Sequence, residues 1–333
     1  MKAIKLLVTL LLALSLAACG QNNEQQNNQS STSESSHNES VSHESEQAAY
    51  PKTFVDGRGK EVIINEKPTK IVSTTLAVDE YLVELTDISN IVAVTGLSTD
   101  PSISNVAGKT DAIEAKFESV TAEQILALQP DLVLIPSYVN PEVLDQLETA
   151  GITTYQVVDD SSFDGIFNSV QVIGEIIGEE EKAEALLSDL TNRYEQLKSD
   201  AQKVTEPKRV LYYTEYLSSV TDNTTIGQMI NLAGGKNVIA EAGIVGDDYP
   251  DYPNVSKELL VSLNPEIIFT TAWGWTEGEE PAFVTEWKND PALASVDAIK
   301  NNKIYVLDGA NVTTASHFVI EGAEEMKAIL AGE

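Results

Sequence analysis

The sequence predicts an α/β protein of two similar lobes with mainly parallel sheets, joined by one long rigid helix, and three observations predict it. Val120 to Leu134 (VTAEQILALQPDLVL) aligns without a gap on Val255 to Phe269 (VSKELLVSLNPEIIF). Each copy reads as a hydroxyl residue, a Glu, a short apolar-faced helix, Pro plus an acid, and a continuous apolar strand, so the chain contains two equivalent halves. Between the copies, residues 179–204 carry apolar side chains at Ala183, Leu187, Leu190, Tyr194, Leu197, Ala201 and Val204. Steps of four and three draw one narrow stripe down a single helix of roughly 39 Å, the length of a strut rather than of an ordinary crossover. Strand and helix patterns alternate through the rest of the chain, as a parallel sheet requires.

The elements follow in order. Residues 1–19 hold Lys2 and Lys5 followed by LLVTLLLALSLAA, too short for a mature membrane span and ending in small residues, which reads as a signal peptide. Leu16, Ala17, Ala18 and Cys19 resemble the lipobox of bacterial lipoproteins, which makes Cys19 the expected lipidation site and the first residue of the mature chain. Residues 20–50 are Gln, Asn, Ser and Glu with almost nothing apolar, the composition of a disordered tether; His37 and His43 within it read as solvated.

The N-terminal lobe is expected over 51–178. Phe54–Val55, the turn DGRG and Glu61 to Ile64 predict a hairpin. Ile71-Val72 is a strand, Ser73-Thr74-Thr75 a polar loop, Leu76 to Leu85 a helix and Ile91 to Val94 a strand. A long loop then passes Gly96, Gly108 and Phe117. The first repeat copy ends at Pro136-Ser137-Tyr138; a helix, the strand Ile152 to Val158 and the helix Phe163 to Ile177 complete the lobe. The strut 179–204 is stopped by Pro207. The C-terminal lobe, 205–333, repeats the scheme: strand Arg209 to Tyr213, helix Ile226 to Ala233, an acidic loop Ala240 to Asn254, and the second repeat copy running into Thr271-Ala272-Trp273-Gly274-Trp275. A helix near Trp287, the strand Lys303 to Leu307, a loop to Ser316 and the closing helix His317 to Leu330 follow.

Charge and composition exclude several classes. With 52 acidic against 21 basic residues the formal charge is −31, which repels nucleic acid and anionic membrane surfaces. The single cysteine forms no internal disulfide and, once lipidated, leaves no thiolate for catalysis. There is no G-x-S-x-G elbow, P-loop or G-x-G-x-x-G following a strand, and acid pairs such as Asp159-Asp160 and Asp247-Asp248 read as solvated loop charges. No enzyme is expected, and no cofactor. A bare zinc or manganese site would need more than the one histidine of the folded part.

The order and spacing of KPTKIVS, AEQILALQPDLVL, the interlobe helix, NLAGGKNV, VSKELLVSLNPEIIF and NNKIYVLDG resemble the substrate-binding proteins that deliver ferric siderophores, haem or cobalamin to ABC importers. The resemblance covers roughly Thr53 to Leu330. It implies a monomeric extracytoplasmic receptor with a ligand between two lobes, modest closure on binding, and a permease with its ATPase as partner. It further implies that Glu123 and Glu258, equivalent across the repeat, dock onto permease arginines; their alternative role is helix-dipole stabilisation.

Strand-end loops bind ligands in such sheets, which nominates the cleft residues. Trp273, Trp275, Tyr138, Tyr213 and Tyr216 offer flat faces for a large apolar ligand or belong to the lobe cores. Ser73, Thr74 and Thr75 offer hydroxyls or cap a helix. His317 is a candidate ligand to a haem or corrinoid metal, or simply hydrogen-bonded at a helix start. The only arginines are Arg58, Arg193 and Arg209, with Lys109, Lys116 and Lys236 as further cations, and no basic cluster emerges. A polyanionic catecholate is therefore disfavoured, and a near-neutral ferric hydroxamate is expected ahead of cobalamin or haem. A surface adhesin is the remoter alternative.

Overall fold

The computed structural model describes residues 50–158, 160–274 and 279–332. The chain enters through a hairpin, β1 (Lys52–Val55) against β2 (Glu61–Ile64), with Phe54 opposite Val62. The turn is built by Asp56: its carboxylate accepts the Arg58 and Lys60 amides at 2.9 and 3.0 Å, and Gly59 takes the left-handed conformation (φ 74°) that closes it.

The first lobe holds β3 (Ile71–Ser73), β4 (Ile91–Thr95), β5 (Ala115–Phe117), β6 (Leu132–Ile135) and β7 (Thr154–Gln156), all parallel in the order β5-β4-β3-β6-β7. Its helices are α1 (Leu76–Leu85), α2 (Ala122–Leu128), α3 (Pro141–Thr149) and α4 (Phe163–Ile177). Period-two alternation sends Leu132 and Leu134 to the core shared with α1 and α4, and Val133 and Ile135 to the core shared with α2 and α3. A sheet covered on both faces explains why β6 is a continuous apolar run.

The strut is α5 (Glu180–Ala201), about 33 Å long. Ala183, Leu190 and Leu197 are buried, and the helix packs on α4 and, from the second lobe, on α6 (Thr225–Leu232) and α12 (Val319–Ala331). One apolar core therefore runs from the first lobe through the strut to the second. Arg193 adds bidentate contact to Glu324 and a bond to Glu321, both on α12. The helix ends earlier than the stripe predicts. Its last turn tightens from Ala201 to Val204, which is exposed and lies over Gly234, so the chain has left the helix well before Pro207.

The second lobe contains β8 (Arg209–Tyr212), β9 (Lys236–Asn237), β10 (Ile267–Thr270) and β11 (Ile304–Val306), parallel in the order β11-β10-β8-β9. Besides α6 and α12 it has α7 (Val238–Glu241), α8 (Lys257–Leu263), α9 (Ala282–Asn289), α10 (Asp297–Lys300) and α11 (Gly309–Val312). The sequence patterns missed β5, β9, α7, α10 and α11, each four residues or shorter.

The repeat is reproduced position for position in its capping residues. Thr121 and Ser256 accept the Gln124 and Leu259 amides (3.3 and 3.2 Å) to start α2 and α8, and Gln129 and Asn264 end them with positive φ (50° and 43°). The acid after each proline then pins the neighbouring strand. Asp131 accepts the Thr69 and Lys70 amides ahead of β3, and Glu266 accepts the Arg209 amide of β8.

Candidate ligand-binding cleft

In each sheet the first strand, β3 or β8, has later strands on both sides, so the connections diverge at its carboxyl end and leave a crevice there. The loops following β3, β6 and β7 and those following β8, β10 and β11 line one cavity of about 520 Å³. That volume is ample for a compact organic ligand.

Of the residues nominated by sequence, the structure brings four to this cavity: Thr75, Tyr138, Tyr216 and Trp273. Thr75 both lines it and caps α1 by accepting the Val78 amide at 3.2 Å. Tyr138, Tyr216 and Trp273 are 78%, 79% and 67% exposed, so large ring surfaces remain open to solvent at the cleft. Trp273 precedes Gly274, whose positive φ (67°) turns the chain and whose amide donates to Ser102 Oγ of the opposite lobe at 3.0 Å.

Four nominated residues belong elsewhere. Ser73 is the last residue of β3 and fully buried, its hydroxyl donating to the Thr75 carbonyl at 3.1 Å. Thr74 is buried with its hydroxyl on the Leu134 carbonyl at 3.0 Å. Tyr213 is core: its ring packs on Trp287 (centroids 4.8 Å apart), its hydroxyl donates to the Val255 carbonyl at 2.9 Å, and burial pushes its pKa up to about 12. His317 is only 4% exposed, set between Phe318 and Tyr81 at the junction of the lobes. Burial pushes its imidazole down to about 4, so it is neutral at physiological pH, and it does not reach the cavity. Trp275 and Cys19 lie outside the described residues.

The cleft floor is a set of bonds between lobes. Tyr81 Oη donates to the Ala315 carbonyl (3.1 Å) and Asn105 Nδ2 to the Ala310 carbonyl (2.9 Å). Glu80 accepts the Asn105 amide (2.9 Å) and the Ser316 hydroxyl. Sequence reasoning missed Ser102, Ile103, Thr313 and Thr314 in the lining, and it read Asp160 as a solvated charge although it lines the cavity, as does Glu215. Position at a strand end was the available signal for Asp160 and Glu215.

No basic side chain lines the cavity among the described residues. Arg58, Arg193 and Arg209 pair with Asp56 and Glu148, with Glu321 and Glu324, and with Glu241 respectively. Lys109 and Lys236 pair with Glu84 and Glu241, and Lys116 donates to the Ile113 carbonyl. Nor do the described residues contain a group of three or more His, Cys, Asp or Glu able to hold a metal ion. Glu123 and Glu258 stand exposed in the first turns of α2 and α8, outside the cavity. Hydrogen bonds from its own amide and from the Ser256 hydroxyl hold the Glu258 carboxyl below the usual range.

Two parallel-sheet lobes facing one cavity across a helical strut define a two-lobed ligand-binding protein. The chain belongs to the periplasmic binding protein family, whose pattern matches residues 71–310. Over 327 residues it is 26% identical to an uncharacterized ABC transporter substrate-binding lipoprotein of Bacillus subtilis, covering 95% of this chain and 93% of that one. It is 27% identical over 224 residues to a cobalamin-binding protein of Halobacterium salinarum, covering 67% of this chain and 59% of that protein. The solved structure of an ABC transporter substrate-binding protein from Listeria monocytogenes superposes with a TM-score of 0.63 at 27% identity, over 80% of this chain and all of that one. The family comprises extracytoplasmic substrate-binding components of ABC importers, not enzymes; a small-molecule ligand and a permease with its ATPase are the partners this entails. No helix among the described residues is long and apolar enough to cross a membrane.

Proposed function

We propose that this protein is a receptor, tethered through lipidated Cys19, that captures a ferric hydroxamate and presents it to an ABC importer, with Glu123 and Glu258 as the permease contacts. The observation that carries the ligand class is the cavity lining: exposed aromatic faces at Tyr138, Tyr216 and Trp273 and no Lys or Arg among the described residues. A polyanionic chelate would meet no charge-assisted donor there, whereas a chelate that has already neutralised its iron gains from ring contact. The metal is cargo inside its own chelate, which fits a cavity lined by no histidine among the described residues. Cobalamin is the second reading, favoured by the Halobacterium relative named for it and by the same aromatic lining, which has no Lys or Arg among the described residues.

The test is calorimetric titration of the soluble chain from Gly20 with a ferric trihydroxamate, a ferric tricatecholate, cyanocobalamin and haem. The expected outcome is saturable binding of the hydroxamate with Kd below about 1 μM and none of the catecholate. Tight catecholate binding would refute the charge argument. Binding of cyanocobalamin alone would transfer the assignment to the corrinoid.

A further inference from the structure

The only charged side chains in the cavity lining among the described residues are two carboxylates, one from each lobe: Asp160 in the loop after β7 and Glu215 in the loop after β8. Glu215 is exposed and has no hydrogen bond or ion pair among the described residues. Asp160 is exposed and is held by the Ser162 hydroxyl and by the Ser162 amide at 3.0 Å, which keep its carboxyl below the usual range and therefore ionised. From this, and resting on the reading of the cavity as the ligand site, we infer that the cleft selects a ligand with net positive charge: a cationic metal complex, or a neutral chelate bearing a pendant ammonium.

Three features support one another. An anionic ligand placed between Asp160 and Glu215 is repelled from both sides, and a neutral one desolvates them without return; a cation gains from both. The exposed rings of Tyr138, Tyr216 and Trp273 at the same cavity present the negative faces that attract organic cations. The formal charge of −31 enriches cations around the whole molecule and steers them inward.

The test uses two pairs of ligands alike in shape and different in charge. One is ferrioxamine B, a ferric trihydroxamate with a free ammonium, against its N-acetyl derivative; the other is aquocobalamin against cyanocobalamin at neutral pH. The cationic member of whichever pair binds is expected to bind about tenfold more tightly, the ratio falling with added salt. Glu215→Gln should reduce that ratio to under about threefold, as should Asp160→Asn, whose Oδ1 keeps the bond to the Ser162 amide. Equal affinity within the binding pair, or preference for its neutral member, overturns the inference and leaves the chelate reading standing. Failure of all four ligands overturns both.

Discussion

Replacing Glu80 by Gln will stabilise this protein at pH 8 and slightly destabilise it near pH 4.5, where the ionisation cost is gone and only the extra N–H remains. Glu80 sits in α1 with no exposed surface, at the bonds that join the lobes. Burial pushes its carboxyl up to about 7, against the pull of the Ser316 hydroxyl, the Asn105 amide and the charge of Lys109; Glu321 adds to the upward push. Burial likewise pushes its neighbour Asp79 up to about 7, despite hydrogen bonds from the Thr95 amide and hydroxyl. A carboxyl whose pKa is higher in the folded state than in the unfolded chain costs nothing below the unfolded value. The cost grows between that value and the folded one, here from pH 4.5 to about 7, and is constant above. The displacement of Glu80 corresponds to roughly 3 kcal/mol. Gln can accept the Asn105 amide, but it brings an extra buried N–H, so the net gain at pH 8 is about 2 kcal/mol. His317 acts oppositely. Its folded value of about 4 against an unfolded 6.5 removes stability as pH falls through that window, so the total curve mixes both signs. Urea unfolding of both proteins at pH 4.5 to 8.5 isolates Glu80 by difference. A difference that does not change with pH would show that folding leaves the Glu80 pKa unshifted, and a mutant that loses stability relative to the wild type as pH rises would show that the fold favours the ionised carboxylate.

Further outcomes follow from the same geometry. Reversing both Glu123 and Glu258 to Lys should abolish uptake by whole cells while calorimetric affinity is unchanged; lost affinity would place them in the cleft or the fold. Trp273→Ala should weaken ligand binding about tenfold with little change in urea midpoint, whereas Tyr213→Phe should cost about 1 kcal/mol of stability by stripping the Val255 carbonyl of its donor and leave affinity alone. Gly227→Ala should destabilise by about 2 to 3 kcal/mol in the same unfolding assay, because its Cβ would stand 2.0 Å from the Thr221 carbonyl oxygen at the start of α6.

The strut and the repeat were legible because periodicity over many residues is hard to mimic: α4 lies where the pattern put it, and the caps of α2 and α8 match residue for residue. The three residues of β5 and the two of β9 carry no such period, and only pairing with β4 and β8 makes them strands. The site was less legible for a related reason. A parallel sheet is covered on both faces, so a polar side chain at the last strand position turns back to a neighbouring carbonyl, as Ser73 and Thr74 do, and Tyr213 buries among the helices. Residues one to three positions further on, Thr75 and Tyr216, reach the cleft instead. A shift of so few residues is beyond what pattern resolves. His317 is buried by Tyr81 and Phe318 where the lobes meet, a contact between distant segments, and Asp160 resembles every other loop acid until the cavity beside it is seen.

The central claim is that metal-bearing cargo sits between the two lobes, against Tyr138, Tyr216 and Trp273. Its most direct measurement is an anomalous-scattering map from crystals grown with the chelate or corrinoid that titrates. A single iron or cobalt peak inside the cavity, flanked by loops from both lobes, is the predicted result. A peak on the outer surface, or one liganded directly by protein side chains outside the cleft, would contradict the account.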